Sequence, residues 1–318
     1  MRGFPMAEPE GLRHAAIAWL EQRTFDRQIP LSRDEIADFE WNGQPFRLIP
    51  SQQGIWKPRG FEATLSIVTT YRSPGQKRPY EDEVGTDGLI RYKWRGDDPH
   101  HPENVGLRRA MQLRKPIIWF IGIGGKPPEY QVVAPVYLVR EEPEQQQFVM
   151  APLAEEDFAV EEFDEGFAVP ALKRYLMRET KVRLHQPVFR STVLMAYENH
   201  CAVCNLAHPE LLDAAHIVDD SHEMGTPTIG NGMALCKIHH AAFDRRFLGL
   251  RPTLERPIVE IRQDLLDEVD GPMLRHGLQD LHGKPLMMLP KARANRPDHD
   301  KLVWAYDRFR TATAADVA

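Results

Sequence analysis

All three cysteines of this 318-residue chain fall between positions 201 and 236. Cys201-Ala-Val-Cys204 and Cys236-Lys-Ile-His239 form two knuckles, each with two intervening residues, and 31 residues lie between them. This C-x-x-C…C-x-x-H pattern supplies four soft or borderline donors, enough to complete a tetrahedron around Zn²⁺ and leave no position open for substrate. Such a site restricts folding strongly, because the free energy of binding the metal is folding free energy. Three cysteines buried as small apolar residues would be the other use of these side chains. That use does not explain why every cysteine lies in the frame.

The rest of the composition describes an ordinary globular chain. Hydrophobic residues make up 42% and charged residues 27%, the balance of a folded soluble protein. No run approaches the roughly 18 apolar residues that a membrane span needs. The longest, IIWFIGI at 117–123, reads as one buried strand. The first residues, MRGFPMAEPEGL, lack the charged-then-apolar layout of a secretory signal. An odd cysteine count without a signal points to a reducing compartment, and a cytoplasmic location is expected. The net charge of −6 does not by itself favour nucleic acid, but charge is unevenly placed. Seven acidic residues lie within 155–165, and six basic ones (Lys173, Arg174, Arg178, Lys181, Arg183, Arg190) follow against one Glu179.

Texture along the chain predicts four regions. Residues 1–39 are a helical segment, with helical spacing over 12–22 and a helix start at Ser32 with Asp34 and Glu35 behind it. Residues 40–152 are strand-rich, with segments at 46–49, 61–70, 89–94, 115–123, 130–140 and 147–151 between Gly, Pro and Asp clusters. One helical insertion, 104–113, interrupts them. Residues 153–184 are a linker and helical transition. Residues 185–318 hold the cysteines, a strand at 258–261 and a final helix at 301–311. Within this last region 211–218 reads as a strand, and MALCKIHHAAFDRRF (233–247) has helical patterning.

The order of strand, loop with Asn231, and helix with His239 and His240 then becomes informative. The string FRSTVLMAYENHCAVC…LLDAAHIV…NGMALCKIHHAAFD resembles the HNH endonucleases of the ββα-metal superfamily, in their zinc-stapled branch found in bacterial restriction enzymes. The resemblance covers about residues 185–250, with His216, Asn231 and His240 matching the three letters in order. It implies that His216 is the general base, a task suited to an imidazole of pKa near 7. It implies that Asn231 orients the base, and that His240 holds a catalytic Mg²⁺ or Mn²⁺. Asp244, one helical turn after His240, is the preferred second ligand. Ala215 occupies the position before the base where many members carry a ligand. Asp213 is the weaker candidate, since strand alternation puts it on the face opposite His216.

A lone HNH domain cuts with little sequence choice, so specificity is expected from residues 40–152. There VGTDGLIRYKW (84–94) resembles the core of SRA (YDG) domains, which flip a modified cytosine out of duplex DNA, with Thr86 where the motif's leading tyrosine would be. Fusions of such readers to HNH nucleases are modification-dependent restriction enzymes. The resemblance implies Asp87 reading the base edge and rings among Trp56, Tyr71, Tyr92 and Trp94 stacking on it. Lys77, Arg78, Arg108 and Arg109 are the expected phosphate contacts.

The expected fold is therefore α+β in two domains, a strand-rich SRA-like half-barrel followed by a zinc-stapled ββα-metal (HNH) nuclease domain. The expected partner is double-stranded DNA carrying 5-methylcytosine or 5-hydroxymethylcytosine, cut by a homodimer with structural Zn²⁺ and catalytic Mg²⁺ or Mn²⁺ in a bacterial cytoplasm. The alternatives are an HNH endonuclease reading unmodified DNA and a non-catalytic zinc-stapled DNA-binding protein.

Overall fold

A computed structural model describes residues 8–9, 11–50, 54–71, 83–84, 87, 89–154 and 170–312. The acidic run at 155–165 and the 72–78 loop with Lys77 and Arg78 lie outside the described residues. The chain divides into two compact units, Met1–Val188 and Phe189–Ala318. No described helix is long and apolar enough to cross a membrane.

The first unit is a strand-rich half-barrel with helices beside it. Its opening helix, Leu12–Arg23, buries Leu12, Ala16, Ile17 and Leu20 along one stripe. Arg13 is buried as well, and its guanidinium donates to the carbonyls of Ala63, Thr64 and Pro116 at 2.7–3.1 Å. Ser32 and Glu35 form the expected capping box at the start of the short helix Arg33–Ala37.

The strands in chain order are β1 (Leu31–Ser32), β2 (Glu40–Trp41), β3 (Gln44–Pro45), β4 (Ile55–Trp56), β5 (Ser66–Thr69), β6 (Glu83–Val84), β7 (Ile90–Lys93), β8 (Ile117–Gly124), β9 (Glu129–Glu142) and β10 (Gln147–Ala151). The main sheet is ordered β4-β5-β8-β9-β10-β7-β6, with β1 also paired to β9. Strand β9 is long enough to serve two neighbours. Its residues 129–136 pair with β8 and its residues 137–142 pair with β10. The parallel β5–β8 pair needs a crossover, and the helix Pro102–Gln112 lies within it, where the sequence predicts a helical insertion.

Residues 46–49 are not the strand their apolar content predicts. The hairpin forms earlier, as β2–β3 around Asn42 and Gly43, both at positive φ. Phe46 instead packs edge-on against Phe39, 6.4 Å between centroids.

The second unit begins within the helix Gln186–Ala196 and has one core, including Val193, Tyr197, Ala215, Met233, Leu235, Leu250, Val259 and Leu302. Strand β11 (Leu212–His216) pairs with β12 (Gly232–Cys236), and the helix Lys237–Asp244 follows directly. Residues 233–236 are therefore a strand, not the first turn of the helix predicted over 233–247. The apolar run Met-Ala-Leu-Cys carries no period that separates a buried strand from a buried helix. A second hairpin joins β13 (Leu248–Arg251) to β14 (Ile258–Ile261), and the helix His299–Thr311 closes the unit over β13.

Candidate active site and metal centre

Cys201 and Cys204 precede the hairpin, Cys236 ends its second strand, and His239 sits in the first turn of the helix that follows. Their four donor atoms all lie within 4.8 Å of one another. Cys201, Cys236 and His239 are buried, and all three thiols are free of disulfides. His239 points Nδ1 at the sulfurs, 3.1 Å from Cys236 Sγ and 3.5 Å from Cys201 Sγ. Its Nε2 lies 2.8 Å from the Gly277 carbonyl, which accepts a hydrogen bond from the Nε2–H and leaves the Nδ1 lone pair free to bind a metal. A set of three thiols and one oriented imidazole is the chemistry a zinc ion takes, and the cluster could hold one.

The hairpin also sets the nuclease residues. His216 is the last residue of β11, paired with Gly232 across the ladder. Its ring stacks on Phe189, with centroids 4.1 Å apart and planes 16° apart. Gly232 permits this packing, because a Cβ there would lie 2.4 Å from Val193 and 2.9 Å from the Phe189 ring. Asn231 is fully buried and bonds across the loop. Its Oδ1 accepts from the Val218 N–H at 3.0 Å, and its Nδ2 donates to the carbonyls of Val218 at 2.9 Å and Thr226 at 3.1 Å. The asparagine thus ties down the chain just beyond His216.

His240 lies between two carboxylates, with Nδ1 3.6 Å from Asp213 and Nε2 3.2 Å from Asp244. Asp213 and Asp244 together outweigh burial and raise the imidazole to about 9. Asp213 is already engaged by Lys237 and Arg190 besides His240. Burial acts to raise its carboxyl, yet these cationic neighbours hold it far below the usual range. It joins β11 to the helix. Asp244 is 58% exposed and, with His216, lines a cavity of about 250 Å³. His240 Nε2 and the Asp244 carboxylate lie 3.2 Å apart, and Asp244 faces open space for water or phosphate oxygens, a donor set that suits a hard divalent cation.

Sequence reasoning missed several groups around that cavity. Asp219, Arg246, Trp304 and Arg308 line it too. The Asp219-Asp220 pair close behind His216 was a visible signal. Trp304 and Arg308 lie far along the chain and had none.

Among the described residues of the first unit the predicted base pocket is not assembled. Tyr92 and Trp94 do share a face, as alternation requires, but it is the core face, and they are 8% and 6% exposed. They pack the core and offer no ring to a flipped base. Asp87 is held by Arg91 through both carboxylate oxygens and by Arg140 at 3.3 Å. Its acceptors are committed to these partners and not to a base edge. Trp56 is half-buried and donates to the Arg47 carbonyl, whereas Tyr71 is 40% exposed. Arg108 pairs with Glu141 at 2.6 Å and lies over Trp94 and Phe148, and Arg109 pairs with Glu62. Both of these arginines already have anionic partners.

Residues 201–251 match the family described as HNH endonuclease. The second unit therefore carries an HNH endonuclease domain. On that ground the chain is a metal-dependent DNA nuclease. A search of curated proteins returns no match. A solved structure titled "Modification dependent TagI restriction endonuclease" is similar at 18% identity over 81% of this chain and 85% of that one, with a TM-score of 0.28, which does not establish a common fold.

Proposed function

We propose that the chain is a restriction-type endonuclease that hydrolyses DNA phosphodiesters in its second unit and takes its specificity from the first. The observation that carries this reading is the pairing of His216 with Asp244 on one cavity, inside the matched HNH segment. His216 takes the proton of the attacking water. Its ring is held by the Phe189 stack, and its strand end by the Asn231 clamp. His240 and Asp244 are the residues that would hold a divalent cation. When bound, that cation offsets the negative charge developing on the phosphate. Zinc at Cys201, Cys204, Cys236 and His239 has a structural task only, since its four donors leave no open position.

For the first unit we propose recognition of a modified cytosine, which the resemblance of residues 84–94 to SRA cores supports. Tyr71 is the exposed ring among those singled out. The burial of Tyr92 and Trp94 and the pairing of Asp87 favour a second reading, an HNH endonuclease that reads unmodified DNA. Cleavage of one plasmid with and without cytosine methylation, in Mg²⁺ or Mn²⁺, separates the two. Cutting confined to methylated plasmid supports the first, and equal cutting supports the second. EDTA abolishes cutting in either case, and failure to cut any DNA would remove the nuclease reading.

A further inference from the structure

Two arginines from different elements line the cavity that holds His216 and Asp244. Arg246 comes from the exit of the helix Lys237–Asp244, and Arg308 from the final helix. Among the described residues neither guanidinium has an acidic partner within ion-pair distance. This sets them apart from Arg91, Arg108 and Arg190, each of which is paired.

The backbone at Arg246 is the first independent sign. The helix ends in a tight reversal, with Arg246 N–H donating to Phe243 O at 3.0 Å and Phe247 N–H to Ala242 O at 2.8 Å. Arg246 sits in the left-handed region at φ 56°. That position favours glycine, which has no Cβ to strain. The turn itself does not call for an arginine, and the Arg246 side chain lines the cavity.

The mounting of Arg308 is the second sign. Its guanidinium carbon lies 4.6 Å from the centre of the Trp304 ring, and Trp304 in turn packs beside His222 at 5.0 Å. The helix that carries both is fixed in place. Phe309 covers Gly249 so closely that a Cβ there would meet its ring at 2.3 Å. Tyr306 donates to Glu260 at 2.7 Å, and the Asp298 N–H to Gly230 O at 2.9 Å. A planar fork held in this way gives up little freedom when it binds a planar or tetrahedral oxyanion. The cavity also holds the carboxylates of Asp219 and Asp244, which repel a DNA phosphate until cationic groups balance them.

We propose that Arg246 and Arg308 clamp a phosphate of the DNA strand presented to His216, so that the final helix is part of the nuclease site. The proposal rests on the nuclease reading of this cavity, and the two can fail separately. The decisive experiment measures duplex binding by the full chain in EDTA at several salt concentrations, alongside cleavage in Mn²⁺ under single-turnover conditions. Arg246→Gly should keep or raise the melting temperature, because it relieves the left-handed backbone, and yet should flatten the slope of log K against log salt by about one. Arg308→Ala should do the same to the slope, and Arg308→Lys should restore it. Each loss should slow cleavage by roughly tenfold to a hundredfold. Wild-type slopes and rates in both Arg246→Gly and Arg308→Ala would overturn the clamp while cleavage by the parent protein continued. A parent protein that binds DNA without cutting, but whose slope still falls in both variants, would keep the clamp and remove the nuclease reading.

Discussion

Asn231 holds Val218 by both of its backbone groups, accepting from the N–H at 3.0 Å and donating to the C=O at 2.9 Å. A side-chain amide here does what a neighbouring strand would do, at the point where β11 has just ended. Only an amide offers a donor and an acceptor in that geometry. Asn231→Asp keeps the shape but removes the donor, leaving the Val218 and Thr226 carbonyls facing a carboxylate. It should therefore destabilise the second unit about as much as Asn231→Ala, on the order of 2 kcal/mol. Denaturant melts of the two variants check this. A neutral Asn231→Asp would show that the amide donor is unimportant.

His216→Ala should abolish DNA cleavage and leave binding intact, since only the base is removed. Losing the ring stacked on Phe189 should lower stability by about 1 kcal/mol without unfolding the unit. More than a few percent of residual cleavage would take the role away from His216.

Metal analysis should find about one tightly held zinc per chain, retained through dialysis that removes Mg²⁺. Cys236→Ser should lose it together with the fold of the second unit, because the ion closes both knuckles. A soluble, well-folded and zinc-free Cys236→Ser protein would show that the cluster is packing alone.

Asp87 links the first unit to pH. Burial raises its carboxyl, but the hydrogen bonds from Arg91 and the Leu89 N–H and the charge of Arg140 outweigh this and hold it at about 2, below its ordinary 3.8. Its contribution is therefore complete above pH 4 and is lost as pH falls through 2. The group is partly solvated, so the loss is about 1 kcal/mol or less. Asp87→Asn should lower stability at neutral pH by that amount and remove this part of the acid limb. Binding preference between modified and plain DNA should stay unchanged. A lost preference at unchanged stability would return Asp87 to the base edge.

What was legible in the sequence depended on how local the signal was. The knuckles and the Ser32–Glu35 cap are fixed by short spacings, and the structure brings each set together. The order of His216, Asn231 and His240 rests on short spacings too, with His216 ending one strand of the hairpin, Asn231 just ahead of the other, and His240 on the helix that follows. Strand alternation likewise put Tyr92 and Trp94 on one face. It could not say which face is covered, because that depends on β8, β9 and the helix Pro102–Gln112 packing on the same core. The run 233–236 pairs as a strand, and its apolar residues carry no period that separates strand from helix. Arg308 reaches the cavity only through the docking of a helix that begins at His299, more than eighty residues after His216. No spacing rule joins positions so far apart.

The bond from His239 to the Gly277 carbonyl bears on how this nuclease could be moved between proteins. A graft ending at Arg251 would carry every metal ligand and all three HNH letters. It would leave behind the carbonyl that selects the His239 tautomer, the strand β14 that pairs with β13, and the helix that bears Arg308. The transferable module is therefore the whole unit from Phe189 to the end of that helix. A chimera built from the short motif should take up zinc more weakly and cut poorly, even with each named residue in place.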